Sequence, residues 1–420
     1  MNLQIIKDFL SKKKLNLIFF EQLITSGTSF ISTIVIINLI GLHSFGIFTF
    51  YWIFYLLINS IQNSLIISPM MTNIAFYKDN EKMLFVGSVL LQQIIFLLLI
   101  IIFIKILFII PFISLELIQK EYINCFIFLI LSSQIYQFFR RYFFSQKMYF
   151  YSLFTSFLVG STLFGLLFYN YILNKINIKE IFYCYIYSFS ITILFCSIFL
   201  KNFRFSIHTF LVSIKENFKI SKWLFLTAIL QWFSGNLWIL NSGLILGPVF
   251  LGAFRACQTI VNIVNIFFQS LENYFPRKIS EIYRDSSIYN MKKYISTINK
   301  IGFVFILGIS IILSISSKFI LNLFYEENIV SYYYLLIILS FLLPLMFINY
   351  FYSFGLRTLK NTKPIFISYL FSSSFAIIAS NTIISNFEEK GFIFGIILSQ
   401  LFISIITYLG FYLSTKSSKL

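Results

Sequence analysis

Arg255, Gln258, Asn262, Asn265, Gln269 and Glu272 follow one another at spacings of 3, 4, 3, 4 and 3 within a stretch otherwise rich in Ile, Val and Phe. At 3.6 residues per turn, this spacing places a guanidinium, four amides and a carboxylate on one face of one helix. Lipid penalises such a face, so it must meet protein or water. Thr227, Gln231, Ser234, Trp238 and Asn241 form a second series with the same rhythm. Gln22, Ser26, Ser29 and Thr33 form a third, and Thr49, Trp52, Asn59 and Asn63 a fourth. Two readings compete. In one, the polar groups only tie helices together through interhelical hydrogen bonds, each worth about 1 kcal/mol or less. In the other they line a water-filled cavity, and six consecutive polar positions that include an Arg and a Glu favour it.

Amides and hydroxyls suit a sugar, while the planar five-donor fork of Arg255 suits bidentate binding of phosphate. The alternative for Arg255 is snorkelling to the nearby interface, three residues past Gly252. Trp238, with Trp232, Tyr51 and Tyr55, offers ring faces for sugar stacking, although packing explains any one aromatic equally in a chain that is 20% aromatic. Glu21 and Glu272 lie towards the cytoplasmic ends of their helices. Each is a protonatable coupling carboxylate, a carboxylate solvated at the interface, or the partner of a nearby Lys or Arg. The expected cavity set is Arg255, Gln258, Asn262, Asn265, Gln269, Gln231, Trp238, Asn241, Asn59, Asn63 and Gln22, with Glu21 and Glu272 as candidates for ion coupling.

Positioning these residues requires helices in a membrane. The chain has 420 residues, is 59% hydrophobic and holds only 15 acidic residues. About 20 apolar residues cross a hydrocarbon core of about 30 Å. Twelve such segments are read near 15–40, 46–68, 83–110, 121–139, 148–171, 181–200, 223–246, 252–275, 301–323, 331–352, 364–385 and 391–413. Lipid leaves the backbone no partner outside its own segment, so each is helical. The expected fold is therefore an all-α polytopic membrane protein of two six-helix lobes, 1–200 and 223–420, joined by a basic linker at 201–222. The net charge is +17, and most of the 32 Lys and Arg, Arg140 and Arg141 among them, are read into alternate connections. That bias puts both termini and the linker in the cytoplasm. Anionic lipid headgroups are a sufficient partner for it, and no nucleic acid is expected. The basic N-terminal stretch precedes a run of about 26 apolar residues, which reads as a retained first helix.

An internal echo supports the two halves. Gly41, Gly46, Phe48, Asn59, Ser64 and Leu65 recur 206 positions later as Gly247, Gly252, Phe254, Asn265, Ser270 and Leu271. Such a repeat places a pocket between two similar halves, an arrangement suited to transport. Pro69 and Pro276, 207 apart, are expected to close the second and eighth helices, and Pro344 to kink the tenth.

Other chemistry is poorly served. Cys125, Cys184, Cys196 and Cys257 stand singly, and His43 and His208 are too few and too far apart for a metal, so neither disulfide nor metal site is expected. No phosphate-cradling loop is present and no cofactor is expected. Connections on the outer side are short and carry no acid–base pair, which disfavours an enzyme.

The runs Glu21-Gln-Leu-Ile-Thr-Ser-Gly-Thr-Ser-Phe30, Gly41-Leu-His-Ser-Phe-Gly-Ile-Phe48 and Ser68-Pro69 resemble the polysaccharide-biosynthesis flippases of the MOP exporter superfamily. In the second half Gly247-Pro-Val-Phe-Leu-Gly-Ala-Phe-Arg-Ala-Cys-Gln258 and Gln269-Ser-Leu-Glu-Asn-Tyr-Phe-Pro-Arg277 carry the same likeness. The O-antigen and capsule repeat-unit translocases match best. This resemblance implies a multi-pass protein of the bacterial inner membrane with a V-shaped MATE-like fold, its cavity lined by helices 1, 2, 7 and 8. It also implies a role in O-antigen, lipopolysaccharide or capsule biosynthesis, moving an undecaprenyl-diphosphate-linked oligosaccharide outward. Membrane lipids and other polysaccharide-assembly proteins are the implied partners. Such flippases often line the cavity with several cations, and here only Arg255 is plainly available. The alternative is a cation-coupled multidrug exporter of the same fold, which calls for deep carboxylates.

Overall fold

The computed structural model describes residues 13–74, 77, 79–109, 117 and 119–417, and the side chains of somewhat fewer. Within them the chain runs through α1 (Lys13–Gln62), α2 (Ser68–Asn73), α3 (Asp79–Ile109), α4 (Lys120–Ser145), α5 (Tyr149–Ile172) and α6 (Ile178–Ser197). It continues through α7 (Ile207–Leu246), α8 (Pro248–Asp285), α9 (Ile288–Ile315), α10 (Ser317–Phe324), α11 (Glu327–Val330), α12 (Tyr333–Thr358) and α13 (Lys363–Ser417). Among the described residues nine helices are long and apolar enough to cross a membrane. Two of these, 57 and 54 residues long, are each broken once and long enough to cross twice. Counting both halves of each, and adding the apolar stretch Pro248–Val264, gives the twelve expected crossings.

The repeated glycines explain two of the breaks. Gly41 has φ 74° and ψ 167°, and Gly247 has φ 91° and ψ 173°, torsions that a Cβ resists. Each therefore turns one helix into the next without a loop, α1 upon itself and α7 into α8. The corner in α13 falls instead on Glu388, at φ 49° and ψ −130°. A non-glycine residue in such a region stores about 1–3 kcal/mol. Glu388→Gly should accordingly raise stability by about 1 kcal/mol once glycine's own entropy cost is set against that relief. A lower thermal unfolding midpoint for purified Glu388→Gly protein would exclude strain at this corner.

The chain divides into two compact units, 1–40 with 51–229 and 41–50 with 230–420. Residues 207–222 of the expected linker are helical and form the start of α7. In the first unit α4 packs on α5 and α6, and in the second α12 packs on α8, α9 and α13. α4 and α12 are the fourth crossings of their halves, with 61% and 50% of their spans buried, and each packs on several neighbours of its own unit. Leu98, Leu99, Ile102, Phe103 and Ile106 on α3 are all more than half exposed. Water would make such a row costly, whereas lipid solvates it.

Inside the second unit the starts of the second and eighth crossings meet at glycine. A Cβ on Gly46 would fall 1.8 Å from the Pro248 carbonyl oxygen, and one on Gly252 would fall 2.6 Å from that of Leu42. Leu42 and Pro248 are themselves 206 apart. The contact is thus reciprocal, with each repeat offering its glycine to the other's first turn, as in an isologous interface.

The prolines behave differently from expectation. Pro69 does not close the second helix: it follows directly on the helical turn at Asn63–Ile67, and the helical run continues past it to Asn73. Pro276 does not close the eighth helix, for α8 continues through it to Asp285. Pro344 lies inside α12, and the four cysteines are buried and unpaired.

Candidate functional site

In the first unit, α1 and α4 enclose a polar cavity of about 230 Å³ lined by Asn59, Ser60, Gln62, Asn63, Gln137, Arg140 and Arg141 with Leu56 and Ile67. The helix of α1 passes into a π turn at Asn63–Ile67, and such an expanded turn re-aims side chains. Asn59 and Asn63 therefore share one wall, facing Gln137 and both arginines from α4. Sequence reading ended the fourth span at 139 and put the arginines in a connection. The helix runs on to Ser145, and Arg140 is only 6% exposed.

A buried arginine needs a counter-charge. Glu21, 1% exposed, supplies it: its Oε1 accepts from Arg140 Nε at 2.6 Å and Ser156 Oγ at 2.9 Å, with Thr25 Oγ1 at 3.2 Å. Arg140 Nη1 also donates to Gln137 Oε1 at 3.2 Å. Behind the wall, Gln62 Nε2 donates to Gln93 Oε1 at 2.8 Å and to the Gln134 carbonyl at 2.7 Å. Gln62 Oε1, Gln93 Nε2 and both side-chain amide atoms of Gln134 find no hydrogen-bond partner among the described residues. Unpaired buried amides beside a polar cavity call for water as their partner.

The second unit holds a cavity of about 320 Å³ between α7, α8, α12 and α13. Gln231, Ser234, Gln258, Asn349, Tyr350, Ser353, Arg357, Tyr369, Ser399 and Gln400 supply its polar lining. Arg255 does not line it directly. Its Nη1 donates to Gln258 Oε1 at 2.6 Å and so fixes an amide of the cavity wall.

The expected residues therefore separate. Gln231 and Gln258 meet in the second cavity, and Asn59 and Asn63 in the first. Trp238 is fully buried, with its Nε1 donating to Ser399 Oγ at 2.9 Å and Gly395 packed against its ring, so it offers no face to a ligand. Asn241 Nδ2 donates to Ser380 Oγ at 2.5 Å and ties α7 to α13. Gln22 Nε2 bonds Ser26 on its own helix. Asn262 is half-buried on α8, outside the cavity lining. Asn265, Gln269 and Glu272 lie outside the residues whose side chains are described. Missed from the sequence were Gln137, Arg140, Arg141, Asn349, Ser353 and Arg357. Asn349, Ser353 and Arg357 nonetheless recur every fourth position along α12, the same signal that marked α7 and α8.

Comparison with known proteins agrees with this architecture. The family profile described as MatE matches residues 224–382. A search of curated proteins gives no match. Among solved structures, an inward-facing multidrug resistance MATE family transporter of the MOP superfamily is similar at a TM-score of 0.71 and 13% identity, covering 97% of this chain and 99% of its own. The lipid II flippase MurJ in an inward closed conformation has a TM-score of 0.68 at 15% identity, covering 94% and 87%. A MOP superfamily transporter from Pyrococcus furiosus, described with a binding pocket of reverse polarity, has a TM-score of 0.65 at 14% identity, covering 97% of each chain. The chain is a multi-pass membrane protein with the fold of the MOP superfamily transporters.

Proposed function

We propose that this protein is a flippase that carries an undecaprenyl-diphosphate-linked oligosaccharide, an O-antigen or capsule repeat unit, from the cytoplasmic to the periplasmic leaflet of a bacterial inner membrane by alternating access. The chemistry of the two cavities carries the reading. Their polar linings are amide, hydroxyl, phenol and guanidinium, and no carboxylate stands among the described lining residues. Amides and hydroxyls exchange hydrogen bonds with a glycan, tyrosine rings stack on its faces, and arginines bind a diphosphate. A cation-coupled drug exporter of the same fold would need a carboxylate open to its cargo. Glu21, the buried acid of the first unit, is already bound to Arg140.

Energetically, no coupling ion is required. A diphosphate bearing about two negative charges gains roughly 4–5 kcal/mol on leaving a cell held at 100 mV, negative inside. Native mass spectrometry of the purified protein tests the assignment. A co-purified polyprenyl-diphosphate glycan is the expected result, whereas proton-coupled dye efflux from cells without such a lipid would favour the drug exporter.

Arg255→Ala releases the amide of Gln258 into disorder. A hydrogen bond to a charged group contributes about 1.5–3 kcal/mol, so export should fall about tenfold or more at matched protein level. Gln258→Ala should lose as much, and the double variant little more than either single one, because both remove one interaction. Additive losses in surface-glycan export would show that the two side chains act separately.

A further inference from the structure

Residues 207–222, the start of α7, present three chemically different edges. One edge is fastened to the first unit. Ser213 and Asn217 are buried there, and a chain of amides runs from Asn73 Nδ2 to Asn217 Oδ1 at 2.9 Å and from Asn217 Nδ2 to Gln92 Oε1 at 3.0 Å. Gln92 Nε2 then donates to Ser213 Oγ at 2.9 Å. Tyr77 adds a 2.6 Å bond from its hydroxyl to Glu216, and burial together with that bond pushes the phenol up to about 12, so it remains a donor across the neutral range. The second edge is apolar and bare: Ile207, Leu211, Ile214 and Phe218 follow at spacings of 4, 3 and 4 and are 69%, 62%, 40% and 62% exposed. The third edge, beside it, carries the exposed Lys215, Lys219 and Lys222.

We propose that this segment is a binding surface for anionic phospholipid, with the apolar edge seated among acyl chains and the three lysines on the headgroups. Two observations select lipid over a soluble protein partner. The helix passes without a break into the membrane span that begins at Ser221, so its bare edge continues the lipid-facing surface of that span. The lysine edge lies where the headgroups of the same leaflet would meet it, the arrangement of an amphipathic interfacial helix. Lys222 also sits over the Trp223 ring at 5.8 Å, and tryptophan settles at the headgroup level. Because the polar edge is locked to α2, Tyr77 and α3, headgroup binding would hold the first unit at a fixed depth in the bilayer.

The test uses the full-length protein in bilayer discs of mixed phosphatidylcholine and phosphatidylglycerol, released into native mass spectrometry. Each lysine beside an anionic surface contributes about fivefold. The wild type should retain phosphatidylglycerol in preference to phosphatidylcholine. The combined Lys215→Gln, Lys219→Gln and Lys222→Gln variant should lose at least fivefold of that preference, with an unchanged unfolding midpoint in pure phosphatidylcholine discs. Lys292→Gln with Lys293→Gln, on the exposed start of α9, should retain it. The proposal is overturned if the triple variant retains phosphatidylglycerol like the wild type, or if the α9 variant loses as much. A protein adduct on wild type that vanishes in the triple variant, without change in lipid, would also overturn it.

Discussion

Gly46→Ala is expected to destabilise the protein by about 3 kcal/mol, the upper end of overpacking costs, and to abolish export. The reason is local. The added methyl would stand 1.8 Å from the Pro248 carbonyl, a backbone atom at the first turn of α8 that no rotamer change can move aside. Gly252→Ala meets the Leu42 carbonyl at 2.6 Å and the Leu42 side chain at 3.1 Å, so its cost should be smaller but of the same kind. Gly165, Gly235 and Gly308 supply the internal control, because nothing lies within 4 Å of a Cβ at any of them. There alanine should be neutral or stabilising by up to about 1 kcal/mol, its ordinary helical advantage over glycine. Thermal unfolding of the five alanine variants in one detergent decides the matter. Equal midpoints for Gly46→Ala and Gly165→Ala would mean that the crossing yields easily and that the glycines have another purpose.

These glycines also show what was legible in the sequence. The 206-residue echo selected both, and it selected Gly41 and Gly247, since a repeat preserves backbone requirements that only glycine meets. It did not reveal that Gly41 and Gly247 each join two helices without a loop, because φ and ψ leave no trace beyond the residue type. The polar stripes were legible as faces, and Gln231, Gln258, Asn59 and Asn63 do line cavities. Their periodicity does not say which turns of a face meet a neighbouring helix. Trp238 and Asn241 lie on the same stripe as Gln231 yet spend their donors on α13. Arg140 was lost for another reason. Charge sorting treats an arginine at the end of an apolar run as a topology signal, and its counter-charge, Glu21, lies 119 residues away.

Glu21 and Arg140 give the second large effect, and they allow stability to be separated from transport. Removing one member of a buried pair strands the other, at about 3–5 kcal/mol. Glu21→Ala alone should therefore lower expression and the unfolding midpoint sharply. Replacing both by apolar residues of similar volume, as in Glu21→Leu with Arg140→Met, is often neutral for such pairs and should restore the midpoint. If the pair only holds α1 against α4, the double variant should also restore export. If Arg140 meets the anionic part of the cargo, export should stay lost in a protein that unfolds like the wild type. Arg141 sharpens the contrast. It lines the same cavity with its guanidinium 5.9 Å from the Phe144 ring centre, and it is half-buried where Arg140 is enclosed. Arg141→Gln should keep the midpoint and still lose tenfold or more of export, because a charge-assisted bond to phosphate is worth about 1.5–3 kcal/mol. Full export in both the double variant and Arg141→Gln would remove the first cavity from the transport path and leave the second as the place where cargo is held.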